Sequence, residues 1–120
     1  MVLTETDACC GPMAAAFLGD YSTHIEVVSV GRKPLQAVDS LLVAAMKECL
    51  IDLSGYRPRN VEDFDLPDFD VIYECPDLPF PGNLEDFRTL RDFIKNEAYL
   101  FFRSKIQSPY PLDSQLKTDN

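Results

Sequence analysis

Three stretches of this chain are composed for extended structure, and each is followed by one composed for a helix. Met1–Thr4, His24–Val30 and Phe69–Cys75 are the extended ones. The second, His-Ile-Glu-Val-Val-Ser-Val, is β-branched and partly alternating, and the third, Phe-Asp-Val-Ile-Tyr-Glu-Cys, is a clear strand sequence. Gly11–Asp20 reads as a helix with Pro12 in its first turn, where a missing N–H costs nothing. Val38–Leu50 carries Leu41, Leu42, Ala45, Met46 and Cys49 at helical spacing behind candidate caps Asp39 and Ser40. Leu84 to about Ile106 places Leu84, Phe87, Leu90, Ile94, Ala98 and Phe101 on one face, with Asn83 as its cap. A short helical turn is expected within Asn60–Asp65. Strands alternating with helices predict an α/β fold built from βαβ units around a mostly parallel sheet. At 120 residues this is one domain. Residues 1–106 are expected to form it, and 107–120, with Pro109 and Pro111, to be a mobile tail.

The net charge is −9, from 11 basic and 20 acidic groups. That balance argues against nucleic acid or an anionic membrane as the main partner, and leaves a basic partner open. No apolar run approaches the roughly 20 residues of a membrane span. Met1-Val2-Leu3 passes directly into Thr4 and Glu5, so no signal peptide is expected. The cysteines, Cys9, Cys10, Cys49 and Cys75, fit no zinc spacing and include no Cys-x-x-Cys. A reduced, cytoplasmic chain with no metal or cofactor is the expectation.

Parallel sheets bind ligands beyond the C-terminal ends of their strands, and Thr4–Gly11 and Cys75–Gly82 both fall there. Thr4–Gly11 sits where a phosphate-binding loop would go, but its chemistry is wrong. Such a loop needs backbone amides free of nearby negative charge, and usually a cation and a nucleophile. Here Glu5 and Asp7 lie in the loop, and no Lys or Arg precedes Arg32.

Several strings, in order, resemble the low-molecular-weight protein tyrosine phosphatases, whose fold is shared with thioredoxin-coupled arsenate reductases. The longest is Ala44-Ala45-Met46-Lys47-Glu48-Cys49-Leu50-Ile51-Asp52-Leu53-Ser54-Gly55-Tyr56-Arg57. Ser29-Val30-Gly31, Gly11-Pro12-Met13-Ala14-Ala15-Ala16-Phe17, Asp70-Val71-Ile72 and Leu84–Phe93 resemble further family segments. The resemblance implies a three-layer α/β/α sandwich with a short, mostly parallel sheet. The family signature is a Cys, five residues, then Arg and Ser or Thr. Its thiolate attacks phosphorus, its amides and Arg hold the oxyanions, and a downstream Asp protonates the leaving group. Anchoring on Pro12-Met13 sets Thr4 at the nucleophile, Asp7 at the usual Asn, Cys10 at the Arg and Gly11 at the Ser. Leu78-Pro79-Phe80-Pro81-Gly82 resembles the acid loop, with Gly82 in place of its Asp. Three chemical roles are therefore vacant together. This implies a protein that has lost catalysis and acts by binding.

The rival reading is a thiol-dependent phosphatase or arsenate reductase that uses Cys9 or Cys10. Cys9 matches a second cysteine that many members carry, and Cys75 lies near where arsenate reductases of this fold carry a resolving cysteine. A third, a phosphocarrier of the sugar-transport type, is disfavoured by the long match at Ile51–Arg57. The bland reading of Cys9 and Cys10 is a vestigial loop, and of Cys75 a small buried apolar residue. Cys49 is expected in the core. His24, the one histidine, is expected to be structural or at the surface. Arg32, Lys33, Arg57 and Arg59 are either solvated or gathered into an anion site that would take a phosphate-like oxyanion. The acidic stretch Glu62, Asp63, Asp65, Asp68, Asp70, Glu74 and Asp77 is either a solvated face or a surface for a basic protein. Tyr56 and Tyr73 either flank the ligand mouth or pack. Phe93, Leu100 and Phe102 fall off the main stripe of the last helix, and either extend its buried face or mark a homodimer patch.

Overall fold

The computed structural model describes residues 1–76 and 78–107, so Asp77 and all but the first residue of the expected tail lie outside it. Its elements run β1 (Val2–Thr4), α1 (Cys10–Tyr21), β2 (Ser29–Gly31), α2 (Ser40–Lys47), two 3₁₀ turns (Val61–Asp63 and Leu66–Asp68), β3 (Tyr73–Glu74) and α3 (Leu84–Phe101). A π-helical turn, Phe102–Gln107, continues α3.

The sheet is parallel throughout, in the order β2-β1-β3. Its strands are shorter than their sequences suggest, for a reason set by register. Val2 pairs with Ser29 on one side and with Tyr73 on the other. His24–Val27 and Phe69–Val71 therefore run out beyond the first residue of the central strand and have no β1 residue opposite them. A β-branched sequence makes a strand only where a partner meets it.

Both faces of the sheet are covered, as parallel sheets require. On one face Val2, Tyr73 and Cys75 join the main core with Met13, Phe17, Leu42, Met46, Phe87, Ile94 and Ala98 from the three helices. On the other, Met1, Leu3 and Val30 pack against Val61, Phe64 and Phe69, which the 3₁₀ turns bring in. Each helix start matches its sequence signal. The carboxylate of Asp39 accepts from the Leu41 amide (2.8 Å), and the Asn83 side chain accepts from the Asp86 amide (2.8 Å). Asn60 caps the first 3₁₀ turn in the same way through the Glu62 amide (2.9 Å).

Helix α2 stops at Lys47, three residues before the expected end. The amide of Leu50 bonds the carbonyl of Lys47, that of Ile51 reaches back to Met46, and Leu50 takes φ 63°. This is the left-handed helix stop that glycine usually fills, here carried by a leucine that is 94% exposed. The early stop leaves Cys49 half-buried rather than in the core. Glu48 instead ties α2 to α3, bonding Arg88 (2.7 Å) and Arg91 (2.8 Å), which together hold its carboxyl down at about 2. In the π-helical turn after α3, Phe102 joins the core and its ring meets that of Tyr21 at 5.5 Å, whereas Phe93 and Leu100 on α3 stay exposed.

Candidate functional site

The chain leaves β1 at Thr4, turns through Glu5–Cys9 and enters α1 at Cys10. A turn this tight needs one residue in the left-handed region, and Asp7 takes it with φ 51°. Asp tolerates that conformation because its short polar side chain bonds nearby groups. The Asp7 side chain is fully buried and accepts three hydrogen bonds. Ser29 Oγ donates to one oxygen (2.5 Å), and Tyr56 Oη (2.5 Å) and the Arg59 amide (2.8 Å) donate to the other. Burial pushes the Asp7 carboxyl above its ordinary value, while the bonds from Ser29, Tyr56 and Arg59 pull the other way. Tyr56 is pushed up in turn, first by burial and then by the adjacent carboxylate. The Arg59 guanidinium stands 5.7 Å from the Tyr56 ring centre.

The loop's outer edge is equally fixed. The amides of Arg32, Lys33 and Leu35 bond the carbonyls of Thr4 (3.0 Å), Glu5 (2.7 Å) and Thr6 (3.0 Å). That approach is possible only because residue 31 is glycine. A Cβ there would lie 2.9 Å from the Asp7 nitrogen, the Glu5 oxygen and the Thr6 carbonyl carbon. Inside the turn, Thr4 Oγ1 is buried and accepts from the Asp7 amide (3.0 Å). A Cβ on Gly11 would lie 2.9 Å from the same oxygen.

No protein-family model matches the chain, and no curated protein does. Solved structures do. An arsenate reductase in the phosphate binding state superposes with a TM-score of 0.72 at 24% identity, covering 84% of this chain and 93% of that one. An arsenate reductase in reduced state gives 0.70 at 27% identity, with the same coverage of both chains. The arsenate reductase of Archaeoglobus fulgidus gives 0.69 at 15% identity, covering 83% and 95%. The chain has the arsenate reductase fold. This is the low-molecular-weight phosphatase-like fold that the sequence strings resemble.

Within that fold the sequence-predicted residues divide. Thr4 ends β1, Asp7 lies in the turn that follows, and Cys10 and Gly11 open α1. Cys9 and Cys10 are not displayed at a ligand mouth, because both side chains are fully buried in the main core at the start of α1. Cys75 follows β3 and is buried in the same core. Tyr73 links these positions. Its hydroxyl is pushed up to about 12, chiefly by burial and then by Cys75, with a further contribution from Cys10. The Tyr73 ring stacks on Phe101 at 4.2 Å, a packed position. Gly82 stands in open space at the surface.

Of the four cations proposed as an anion site, Arg32 is ion-paired with Glu74, and Arg59 lies over Tyr56 with its amide on Asp7. His24 is exposed at the opposite end of the sheet from the loop. The acidic stretch is exposed at each described carboxylate. Sequence reasoning missed the contacts of Asp7 with Tyr56 and the Arg59 amide. They join residues 49 and 52 positions apart, and no local pattern carries that spacing.

Proposed function

We propose that this is a non-catalytic protein of the arsenate reductase fold that works by binding. The observation that carries the reading is the buried Asp7 carboxylate beneath the loop. A phosphate cradle works by directing partial positive charge at an anion. This one is braced by a residue that carries a negative charge when ionised, and Arg32, the first cation in the chain, is paired with Glu74. The residue at the nucleophile position is the Thr4 hydroxyl, which accepts a hydrogen bond from an amide, whereas a nucleophile needs a base to take its proton. Losing one such role costs several powers of ten in rate. The exposed acidic stretch supports a basic protein as the partner class.

A second reading, a thiol-dependent arsenate reductase or phosphatase using Cys9 or Cys10 with Cys75, is favoured by one observation. Cys10 and Cys75 both act on the Tyr73 hydroxyl, so two thiols share one neighbourhood.

Turnover of an aryl phosphate, and of arsenate with a thiol reductant, decides between them across acidic to neutral pH. The folded wild-type protein is expected to give no rate above buffer. Turnover that disappears in Cys9→Ser, Cys10→Ser or Cys75→Ser establishes the thiol enzyme instead.

A further inference from the structure

Four of the chain's cations are gathered on one surface by backbone contacts between distant segments. The amide of Gly31 donates to the Arg59 carbonyl (2.8 Å), and Gly31 pairs with Asn60 in a parallel bridge. Arg32 and Lys33 on one segment, and Arg57 and Arg59 on the other, are thereby brought together just past β2. All four are exposed. Arg32 pairs with Glu74 and Arg59 lies over Tyr56, whereas Lys33 and Arg57 make no ion pair among the described residues. The chain then passes through Asn60 straight into the two 3₁₀ turns, which expose Glu62, Asp63, Asp65 and Asp68. Val61, Phe64 and Phe69 pack inward from the same turns, which leaves the carboxylates facing out. None of those four carboxylates makes an ion pair among the described residues. Opposite charges thus adjoin on one surface and are not spent on each other.

We infer that this surface of two signs is an interface between two copies of the chain. A two-fold axis set between the patches lays the cations of each copy on the carboxylates of the other, so one surface serves both sides. A purely basic partner fits it less well. Covering the carboxylates would bring that partner's charges up to Arg57 and Arg59, and like charges so placed repel. A second copy carries both signs in the order required. Leu35 and Leu66, both exposed, give the cationic and the acidic segment one apolar contact each. The net charge of −9 opposes approach at long range. At physiological salt, however, exposed charges more than about 8 Å apart are largely screened, and pairs in contact decide. The inference deepens the binding reading and rests on it, since it names the basic group that the acidic stretch meets. It uses no residue of the loop or of the thiol neighbourhood.

The test is sedimentation equilibrium of the full chain. Exposed ion pairs are individually weak, so wild type is expected to pass from monomer to dimer near about 100 μM at physiological salt, and 1 M salt to weaken the dimer about tenfold. Two double variants, Lys33→Glu with Arg57→Glu and Glu62→Lys with Asp65→Lys, alter only exposed side chains that make no described ion pair. Each is expected to weaken self-association at least about tenfold, with the circular dichroism unchanged. An equimolar mixture of the two is expected to restore the dimer to within about threefold of wild type, because reversed cations then meet reversed carboxylates while the other set of contacts stays native. The inference is overturned if wild type stays monomeric up to about 1 mM, or if the mixture stays monomeric. A dimer that neither reversal weakens also overturns it, and assigns the contact to another face such as that of Phe93 and Leu100. A monomeric chain leaves the binding reading to the turnover assay, whose outcome does not depend on oligomeric state.

Discussion

The two ends of β1 show opposite treatments of backbone. At its C-terminal end the chain spends every polar group it can. Thr4, Glu5 and Thr6 are bonded to Arg32–Leu35, and Asp7 gathers three donors from residues far along the sequence. At its N-terminal end Ile25–Val27 have no backbone partner among the described residues, and a groove remains. The fold normally places its chemistry at the first end. Here that end is tightly braced, while the second is open. The residues that hold this loop, Asp7, Ser29, Tyr56 and Gly31, differ from those the resemblance would make reactive.

Four measurements would break or sharpen this contrast. The largest effect is expected from Asp7→Ala, which strands the Ser29 and Tyr56 hydroxyls and the Arg59 amide. Urea unfolding should show a loss of about 2–4 kcal/mol, and a change near zero would mean that Asp7 does not brace the loop. Asp7→Asn isolates the charge. Burial raises the Asp7 carboxyl above 3.8, so the folded protein holds this proton more tightly than the unfolded chain. The carboxyl's contribution is then most favourable below about pH 3.8 and declines as pH rises through the folded value. Stability of Asp7→Asn relative to wild type should therefore improve over that interval and level off above it. A difference independent of pH would show that the hydrogen bonds balance burial, and one that worsens as pH rises would show that they outweigh it.

Gly31→Ala ranks next. Its Cβ meets three loop atoms at 2.9 Å, all backbone, and backbone cannot swing away as a side-chain tip can. A loss of about 1–3 kcal/mol is expected, with thermal unfolding as the check. An unchanged midpoint would show that the loop is free to move. The smallest effect belongs to the groove. A double variant at its exposed rim, Glu26→Lys with Asp70→Lys, should unfold within about 0.5 kcal/mol of wild type, since neither residue bonds a described neighbour. A larger loss would mean that the groove is a structural element and not open surface.

Particular residues show where sequence reading reached and where it stopped. Asp39 and Asn83 were legible as caps because a cap bonds an amide two or three positions away. Asp7 was legible as a loop residue at the usual Asn of the resemblance, but its left-handed conformation was not. The burial of Cys9 and Cys10 was not, since adjacent cysteines beside a loop look the same whether they face solvent or α3. The ends of β2 and β3 failed for a different reason. His24–Val27 has strand composition, but pairing belongs to two segments at once, and the length of β1 decided it. Leu50 stopped α2 against expectation because a leucine in a left-handed turn has no local signature.

The sequence by itself determined the alternation of strands and helices, the caps, the absence of any basic residue before Arg32, and the acidity of the surface. All of these are properties of composition and of neighbours within a few positions. Only the tertiary structure decided that Asp7 is buried under Ser29, Tyr56 and Arg59, that Cys10 and Cys75 share Tyr73, and that Arg32 and Lys33 come beside Arg57 and Arg59. Each depends on groups dozens of residues apart being brought within hydrogen-bonding or packing distance, and spacing along a chain does not encode that closure.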